Sequence, residues 1–167
     1  MSDILTSIVE KRKEDIKRLG TNFGFELPQK RQRPVHKFLT QKGVILEVKR
    51  ASPSKGDISP DLDAAQTACS YAKAGAAAIS CLTETNYFKG SLGDLMTVCS
   101  SLDNLEAQCG KPLPAELRKD FLLSPKEIEV SYLAGADAVL LIARILDTQT
   151  IVQMAQAAVA YGMTSLV

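Results

Sequence analysis

One pattern, which occurs three times, constrains the fold of this chain more than any other feature. A helical stretch ends at a glycine, and an unbroken apolar run follows at once, after Gly75, Gly135 and Gly162. Glycine closes a helix C-terminus in the left-handed conformation without a side-chain clash. An apolar run without alternation suits a strand buried on both faces, as parallel strands are. The pattern therefore predicts β/α units built around a parallel sheet.

Five parallel strands and five helices are predicted along the chain. The strands cover residues 44–49, 76–83, 115–120, 136–143 and 163–167. The helices cover residues 3–19, 61–74, 92–102, 125–134 and 147–160, and the expected N-caps are Ser2 or Asp3, Pro60–Asp61, Ser124 and Asp147. Both a (β/α)8 barrel and a doubly wound open sheet would produce this order.

Composition excludes several classes of partner. The chain has 167 residues, a size that usually means one domain, and 46% of them are hydrophobic. Its net charge is +1, from 20 basic and 19 acidic residues, which gives no reason to expect nucleic acid or an anionic membrane. The sequence KRKEDIKR intersperses acids among its bases, so it predicts a solvated helix face. No apolar run approaches the roughly 20 residues of a membrane helix.

The cysteines and the histidine give no metal site. The four cysteines, at positions 69, 81, 99 and 109, are scattered without C-x-x-C spacing, which predicts free thiols in a reducing cytoplasm. His36 is the single histidine and has no second ligand at a suitable spacing, so no metal is expected.

The first predicted strand is apolar except for two charged residues near its C-terminal end. Glu47 and Lys49 lie two residues apart, so their side chains point to the same face near the strand's C-terminal end. Burying two charges costs several kcal/mol per ion, at order of magnitude, unless each has a partner. Residues 52–60 contain two prolines and a glycine and predict a loop. Together they indicate an active site that receives an anionic substrate.

Three segments resemble one known family. Residues 47–56 read EVKRASPSKG, residues 82–91 read LTETNYFKGS and residues 117–121 read LRKDF. In this order they resemble the first three strand motifs of indole-3-glycerol phosphate synthase, and the resemblance covers essentially the whole chain. It implies an α/β fold of the (β/α)8 TIM-barrel type. Residues 1–42 would form an N-terminal helical extension, and residues 43–167 would run from βα1 to the fifth strand of a single partial domain.

The resemblance also implies a reaction. A carboxyphenylamino-deoxyribulose phosphate is cyclised to indole-3-glycerol phosphate with loss of CO2 and water, in tryptophan biosynthesis and without cofactor or metal. Such chemistry needs a cation for the substrate carboxylate, an acid for the departing hydroxyl and a base that restores the aromatic ring. By resemblance Lys119 is the general acid, Lys49 binds the carboxylate and closes the ring, and Glu47 orients and balances both lysines.

The substrate-binding residues follow from the same resemblance. Ser52 would bind the phosphate through its hydroxyl or the loop backbone. Phe88 would stack near the anthranilate ring, and Leu140 or Leu141 would line the apolar part of the pocket. The partner implied is a small phosphorylated molecule.

Each assignment has a structural alternative. Lys119 and Asp120 could be an exposed pair, Glu47 and Lys49 a plain buried ion pair, and Phe88 a core residue. Asp120 is expected to be a structural hydrogen-bond acceptor. Glu116 would be costly inside a barrel strand, so the third strand is expected to begin near Leu117.

The chain is short for the family. A complete (β/α)8 barrel takes about 250 residues, and this sequence stops inside the predicted fifth strand. We therefore expect the N-terminal part of a longer enzyme, with little synthase activity alone, since the family's general base would lie just past Val167. The alternative is a non-catalytic half-barrel that self-associates through open sheet edges. A sugar-phosphate isomerase on the same barrel fits the motifs less well.

Overall fold

The computed structural model describes residues 3–40 and 42–167. The elements in chain order are α1 Ile4–Leu19, β1 Ile45–Val48, β2 Ala51–Ser52, β3 Gly56–Asp57, α2 Ala64–Lys73, β4 Ala78–Leu82, α3 Leu92–Cys109, β5 Ala115–Lys119, α4 Lys126–Leu133, β6 Ala138–Leu140, α5 Thr148–Ala160 and β7 Thr164–Leu166. None of these helices is both long and apolar enough to cross a membrane.

The main sheet has the strand order of a barrel. Its order is β1-β4-β5-β6-β7, and every pairing is parallel. Each strand therefore lies beside the next parallel strand of the chain. A doubly wound sheet instead changes direction at a switch point, and none occurs among the described residues. The (β/α) barrel architecture is confirmed, and the carboxyl ends of all five strands lie at one edge.

Several predicted boundaries need correction. The stretch predicted as a loop, 52–60, contains part of a small antiparallel hairpin of β2 and β3. Helix α2 begins later than predicted, because the side chain of Asp63 accepts a hydrogen bond from the Gln66 amide. Ser124 does not cap α4, whose N-cap is Pro125 without a side-chain hydrogen bond. Of the two alternatives for α1, Asp3 is its N-cap and Ser2 lies outside the described residues, and the cap predicted at Asp147 is confirmed.

The three glycines predicted to end helices have the left-handed conformation that was expected of them. Gly75, Gly135 and Gly162 all have positive φ angles, of 87°, 103° and 72°. Each directly precedes the turn into the next parallel strand, where a residue with a side chain would be strained.

The apolar core lies between the sheet and the helices. It is built from the outward-facing residues of the strands and the inward-facing residues of the helices, including Val48, Ile79, Cys81, Val139, Leu95, Val98, Leu102, Ile128 and Met154. Because side chains alternate along a strand, the opposite face of the same strands remains available for polar groups.

Two buried arginines close the amino-terminal edge of the sheet. Arg31 donates to the carboxylate of Asp137 at 2.6 Å and to the carbonyls of Tyr132 and Ala136 at 2.9 and 2.6 Å. Arg33 donates to the carbonyl of Gly135 at 2.9 Å. These bonds satisfy carbonyls around the end of α4, which would otherwise be left without donors. Arg31 and Arg33 thereby anchor the chain between α1 and β1 to the amino-terminal end of β6.

Glu116 lies inside β5, so the prediction that this strand begins near Leu117 is wrong. The residue is fully buried, and neither carboxylate oxygen has a hydrogen-bond partner within residues 3–40 and 42–167. Burial raises the pKa of Glu116 well above its ordinary value, Arg33 opposes this rise, and the neighbouring carboxylates of Asp137 and Asp103 reinforce it. A buried carboxyl without partners is tolerated because it holds its proton.

Glu116→Gln should therefore change how stability depends on pH. A raised folded-state pKa stabilises the protein fully below the unfolded pKa, and this stability is lost as the pH rises toward the folded pKa. The variant cannot titrate, so its free energy of unfolding relative to wild type should rise by up to about 1.4 kcal/mol per pH unit above about pH 5. Urea unfolding between about pH 5 and 8 measures this, with exposed Glu129→Gln as control. A difference independent of pH would contradict it.

Candidate active site

Two lysines from different strands share one carboxylate at the carboxyl edge of the sheet. Lys49 follows β1 and its Nζ lies 2.6 Å from Glu47 Oε1. Lys119 ends β5 and its Nζ lies 3.3 Å from Glu47 Oε2. The side chains are 27–38% exposed, so a ligand can reach all three. The three residues predicted to be catalytic are thus brought together, and Glu47 and Lys49 are not a fully buried pair.

Glu47 is a charged bridge at neutral pH. Partial burial raises the pKa of Glu47, but the hydrogen bond from Lys49 and the positive charge of Lys119 outweigh burial and hold the pKa below its ordinary value. A carboxylate with a lowered pKa is a weak proton acceptor. Its contribution here is to place two ammonium groups side by side.

The strand register separates the two leucines proposed for the pocket. Leu117 pairs with Ala138, and Lys119 and Leu140 each lie two residues further along their strands. Lys119 and Leu140 therefore share the face that carries Glu47. Leu141 is fully buried in the core between sheet and helices. The geometry favours Leu140 as a pocket residue and gives Leu141 a packing role.

The hairpin that carries Ser52 is held beside the site by Arg50. Both terminal nitrogens of Arg50 contact the carboxylate of Asp94 at 2.8 Å, and Lys89 Nζ lies 2.5 Å from Asp57, which pairs with Ala51 next to Arg50. The hydroxyl of Ser52 lies 3.5 Å from that of Ser54. Ser52 itself is half-buried, so part of the residue is open to solvent.

Two aromatic rings face each other at the same edge. The ring centroids of Phe88 and Phe121 are 6.0 Å apart with an interplanar angle of 35°. Phe121 belongs to the quoted LRKDF motif but was not among the predicted site residues. The sequence feature that could have identified Phe121 is its position two residues after Lys119, at the carboxyl end of β5 where the other site residues lie.

A buried cluster of charges stands behind this edge. Arg12 of α1 lies 3.0 Å from Asp120 Oδ2 and 2.7 Å from Glu127 Oε1, and Arg118 lies 3.0 Å from Asp120. Burial raises the pKa of Asp120, but the charges of Arg12 and Arg118 outweigh it and the pKa is lowered. Asp120 also accepts the Phe121 amide at 2.8 Å. It is the structural acceptor expected, and it fixes the chain between Lys119 and Phe121.

The segment KRKEDIKR was predicted to form a solvated helix face, and Lys13, Glu14, Lys17 and Arg18 are exposed as expected, but two of its charged residues are buried. Arg12 and Asp15 are 4% and 6% exposed. The Arg12 guanidinium also lies 4.0 Å above the centroid of the Phe23 ring. Asp15 accepts a hydrogen bond from Asn86 at 2.7 Å, so α1 contacts two of the loops that follow the strands.

Comparison with known proteins identifies the family. The family model described as indole-3-glycerol phosphate synthase matches residues 5–167. The chain belongs to the indole-3-glycerol phosphate synthase family. It is 39% identical to the indole-3-glycerol phosphate synthase of Desulfosudis oleivorans, covering 100% of this chain and 64% of that protein. It is 38% identical to that of Exiguobacterium sibiricum, covering 99% and 61%.

One of the relatives is a much longer, multifunctional protein. The chain is 42% identical to the multifunctional tryptophan biosynthesis protein of Schizosaccharomyces pombe over 128 residues, 77% of this chain and 16% of that protein. The chain spans less than two thirds of the length of each of the three relatives. The family membership implied by the sequence motifs is confirmed.

Arg12→Ala should destabilise the protein strongly. It would leave the buried carboxylates of Asp120 and Glu127 with one cation fewer, and breaking a buried pair this way costs about 3–5 kcal/mol. Arg18→Ala, on the exposed side of the same helix, removes an ion pair with Asp15 and should cost less than about 1 kcal/mol. Urea unfolding of both variants gives the comparison. Equal losses would mean that the buried cluster does not hold α1.

Proposed function

We propose that the protein to which this chain belongs catalyses the decarboxylating, dehydrating ring closure of carboxyphenylamino-deoxyribulose phosphate to indole-3-glycerol phosphate. The observation that carries the proposal is the pair of ammonium groups, Lys49 and Lys119, held 2.6 and 3.3 Å from one carboxylate beside two phenylalanine rings. Such a site offers cations to the anionic groups of the substrate and an apolar wall to its ring.

The two lysines divide the chemistry. Lys49 binds the substrate carboxylate and brings the ring carbon that bears it against the ketone carbon. A carbon–carbon bond forms there while the ketone's C=O π bond breaks and its oxygen takes up a proton to become a hydroxyl, and the carboxylate leaves as CO2, its electron pair remaining on the ring. Lys119 protonates the departing hydroxyl, which leaves as water. Glu47 holds both ammonium groups in place and balances their charge. This carbon–carbon lyase activity requires no cofactor in the proposal.

The base that restores the aromatic ring is a group other than Glu47. The carboxylate of Glu47 is bonded to both lysines and its pKa is lowered, so it accepts a proton poorly. For the 167-residue polypeptide by itself we therefore expect substrate binding with little turnover.

The remaining contacts hold the substrate. Ser52 bonds the phosphate, Phe88 stacks near the anthranilate ring, and Leu140 lines the apolar wall. A cytoplasmic location is part of the proposal, and it is supported by the four cysteines, all of which are free thiols. The reducing cytoplasm keeps thiols in that state.

Removal of the general acid should abolish turnover. The assay follows formation of the indole by fluorescence, in protein whose intact mass has been measured. Where wild type turns over, Lys119→Ala should lower kcat by about a hundredfold or more, whereas exposed Lys126→Ala should leave it unchanged. Full turnover by Lys119→Ala would overturn the proposed role. A wild type of 18.1 kDa that turns over at enzyme-like rates would overturn the expectation for the short polypeptide.

A second candidate function is self-association without catalysis. Among the described residues β1 and β7 each pair with one strand, and Val44 near β1 and Val159 on α5 are 63% and 72% exposed. Unpaired strand edges and exposed apolar side chains favour pairing with another chain.

Sedimentation at several concentrations tests this second candidate. Association should appear in wild type and weaken by about tenfold or more in Val159→Lys, because a charge is costly in an apolar contact. Thr148→Lys, at the exposed start of the same helix, is the matched control. A wild type that stays monomeric at all concentrations would contradict the candidate.

A further inference from the structure

Glu84 is a buried carboxylate that neither the proposed chemistry nor the core explains. It follows β4 by two residues and is 2% exposed. Its Oε1 accepts the amide of Asn86 at 2.8 Å, and its Oε2 accepts the amides of Tyr87 and Phe88 at 2.7 and 3.0 Å. Three N–H donors on one carboxylate compensate for its loss of water.

The loop 84–90 is closed at its far end as well. The Gly90 amide donates to the Glu84 carbonyl at 2.9 Å. A Cβ on Gly90 would lie 2.1 Å from the Leu82 carbonyl oxygen, so the chain presses directly on the end of β4 and only glycine fits. Lys89 has a φ of +54°, an uncommon conformation for a residue with a side chain. The loop is thus wound around the Glu84 carboxylate.

This loop is the point at which the separate parts of the site meet. The Phe88 ring faces Phe121. The carbonyl of Lys89 accepts Arg50 at 3.1 Å, while its ammonium group contacts the hairpin. Asn86 reaches Asp15 of α1. A change in the path of residues 86–88 would therefore move the Phe88 ring.

We propose that Glu84 is a positioning residue that sets the aromatic wall of the site, and thereby its selectivity for a ring-bearing aminosugar phosphate over a ring-free sugar phosphate. The inference rests on the proposed function. By drawing three successive amides inward, the carboxylate turns the Phe88 side chain outward toward Phe121. A glutamine has the same shape but presents one acceptor oxygen and an NH2 group that cannot accept the remaining amides.

Amide hydrogen exchange without any ligand gives the first test. The amides of Asn86, Tyr87 and Phe88 should be protected in wild type and should exchange roughly tenfold faster or more in Glu84→Gln, since bonds to a charged acceptor are lost. The Ile79 amide in β4 should be unaffected, and Glu129→Gln serves as the matched control. Unprotected wild-type amides, or unchanged rates in Glu84→Gln, would overturn the proposal.

Binding of two ligands gives the second test. The ring-bearing probe is the substrate with its ketone reduced, which cannot cyclise, and the ring-free probe is ribitol phosphate. Glu84→Gln should weaken the ring-bearing probe by roughly tenfold and leave the ring-free probe unchanged. Phe88→Leu should do the same, and the double variant should lose no more than either single variant. A general loss of fold would weaken both probes equally.

The outcomes separate the two proposals. Equal loss for both probes, or additive losses in the double variant, would overturn the role of Glu84 while leaving the proposed function intact. A folded wild type that binds neither probe would overturn the proposed function. In that case the exchange rates decide by themselves whether Glu84 anchors the loop.

Discussion

The architecture of this site depends on charges that have been removed from water and must find partners. Arg12, Arg118, Asp120 and Glu127 are all at most 4% exposed and meet behind the end of β5. Each would be strongly destabilising alone. Because these four residues come from α1, from β5 and the turn after it, and from α4, the cluster determines where α1 lies and which path the chain takes after β5. Asp120 stands between Lys119 and Phe121, so the same cluster fixes the residues that face the ligand.

Alternation along the strands gives these two environments to neighbouring residues. Val48 is buried against the helices, while Glu47 and Lys49 on either side of it face the open edge. The same holds on β5, where Arg118 points to the buried cluster and Lys119 to the site. The side that faces the helices is buried, whereas Glu47, Lys49 and Lys119 on the other side stay exposed enough for a substrate to displace water. Lys49 and Lys119 are already together on Glu47 before any ligand binds.

The sequence predicted the units of the fold because periodicity and punctuation are local signals. It also predicted Glu47 and Lys49 as a pair, because they alternate with an apolar residue on one strand, and the family resemblance added Lys119 to them. It failed where burial depends on distant partners. Arg12 looked like part of a solvated face, because the carboxylates that bury it lie more than a hundred positions away. No local pattern reveals such a pair.

The link between Arg12 and Glu127 spans 115 positions of sequence. During synthesis α1 is made before the carboxylates that hold it, and these follow only after three of the five parallel strands, β1, β4 and β5, have been made. Contacts of such separation carry a large loop-closure cost and slow folding. We therefore expect α1 to dock after the chain that supplies Asp120 and Glu127 has been made. Because Asp120 contacts Arg12 and also accepts the Phe121 amide, we expect docking of α1 and ordering of Phe121 to occur together.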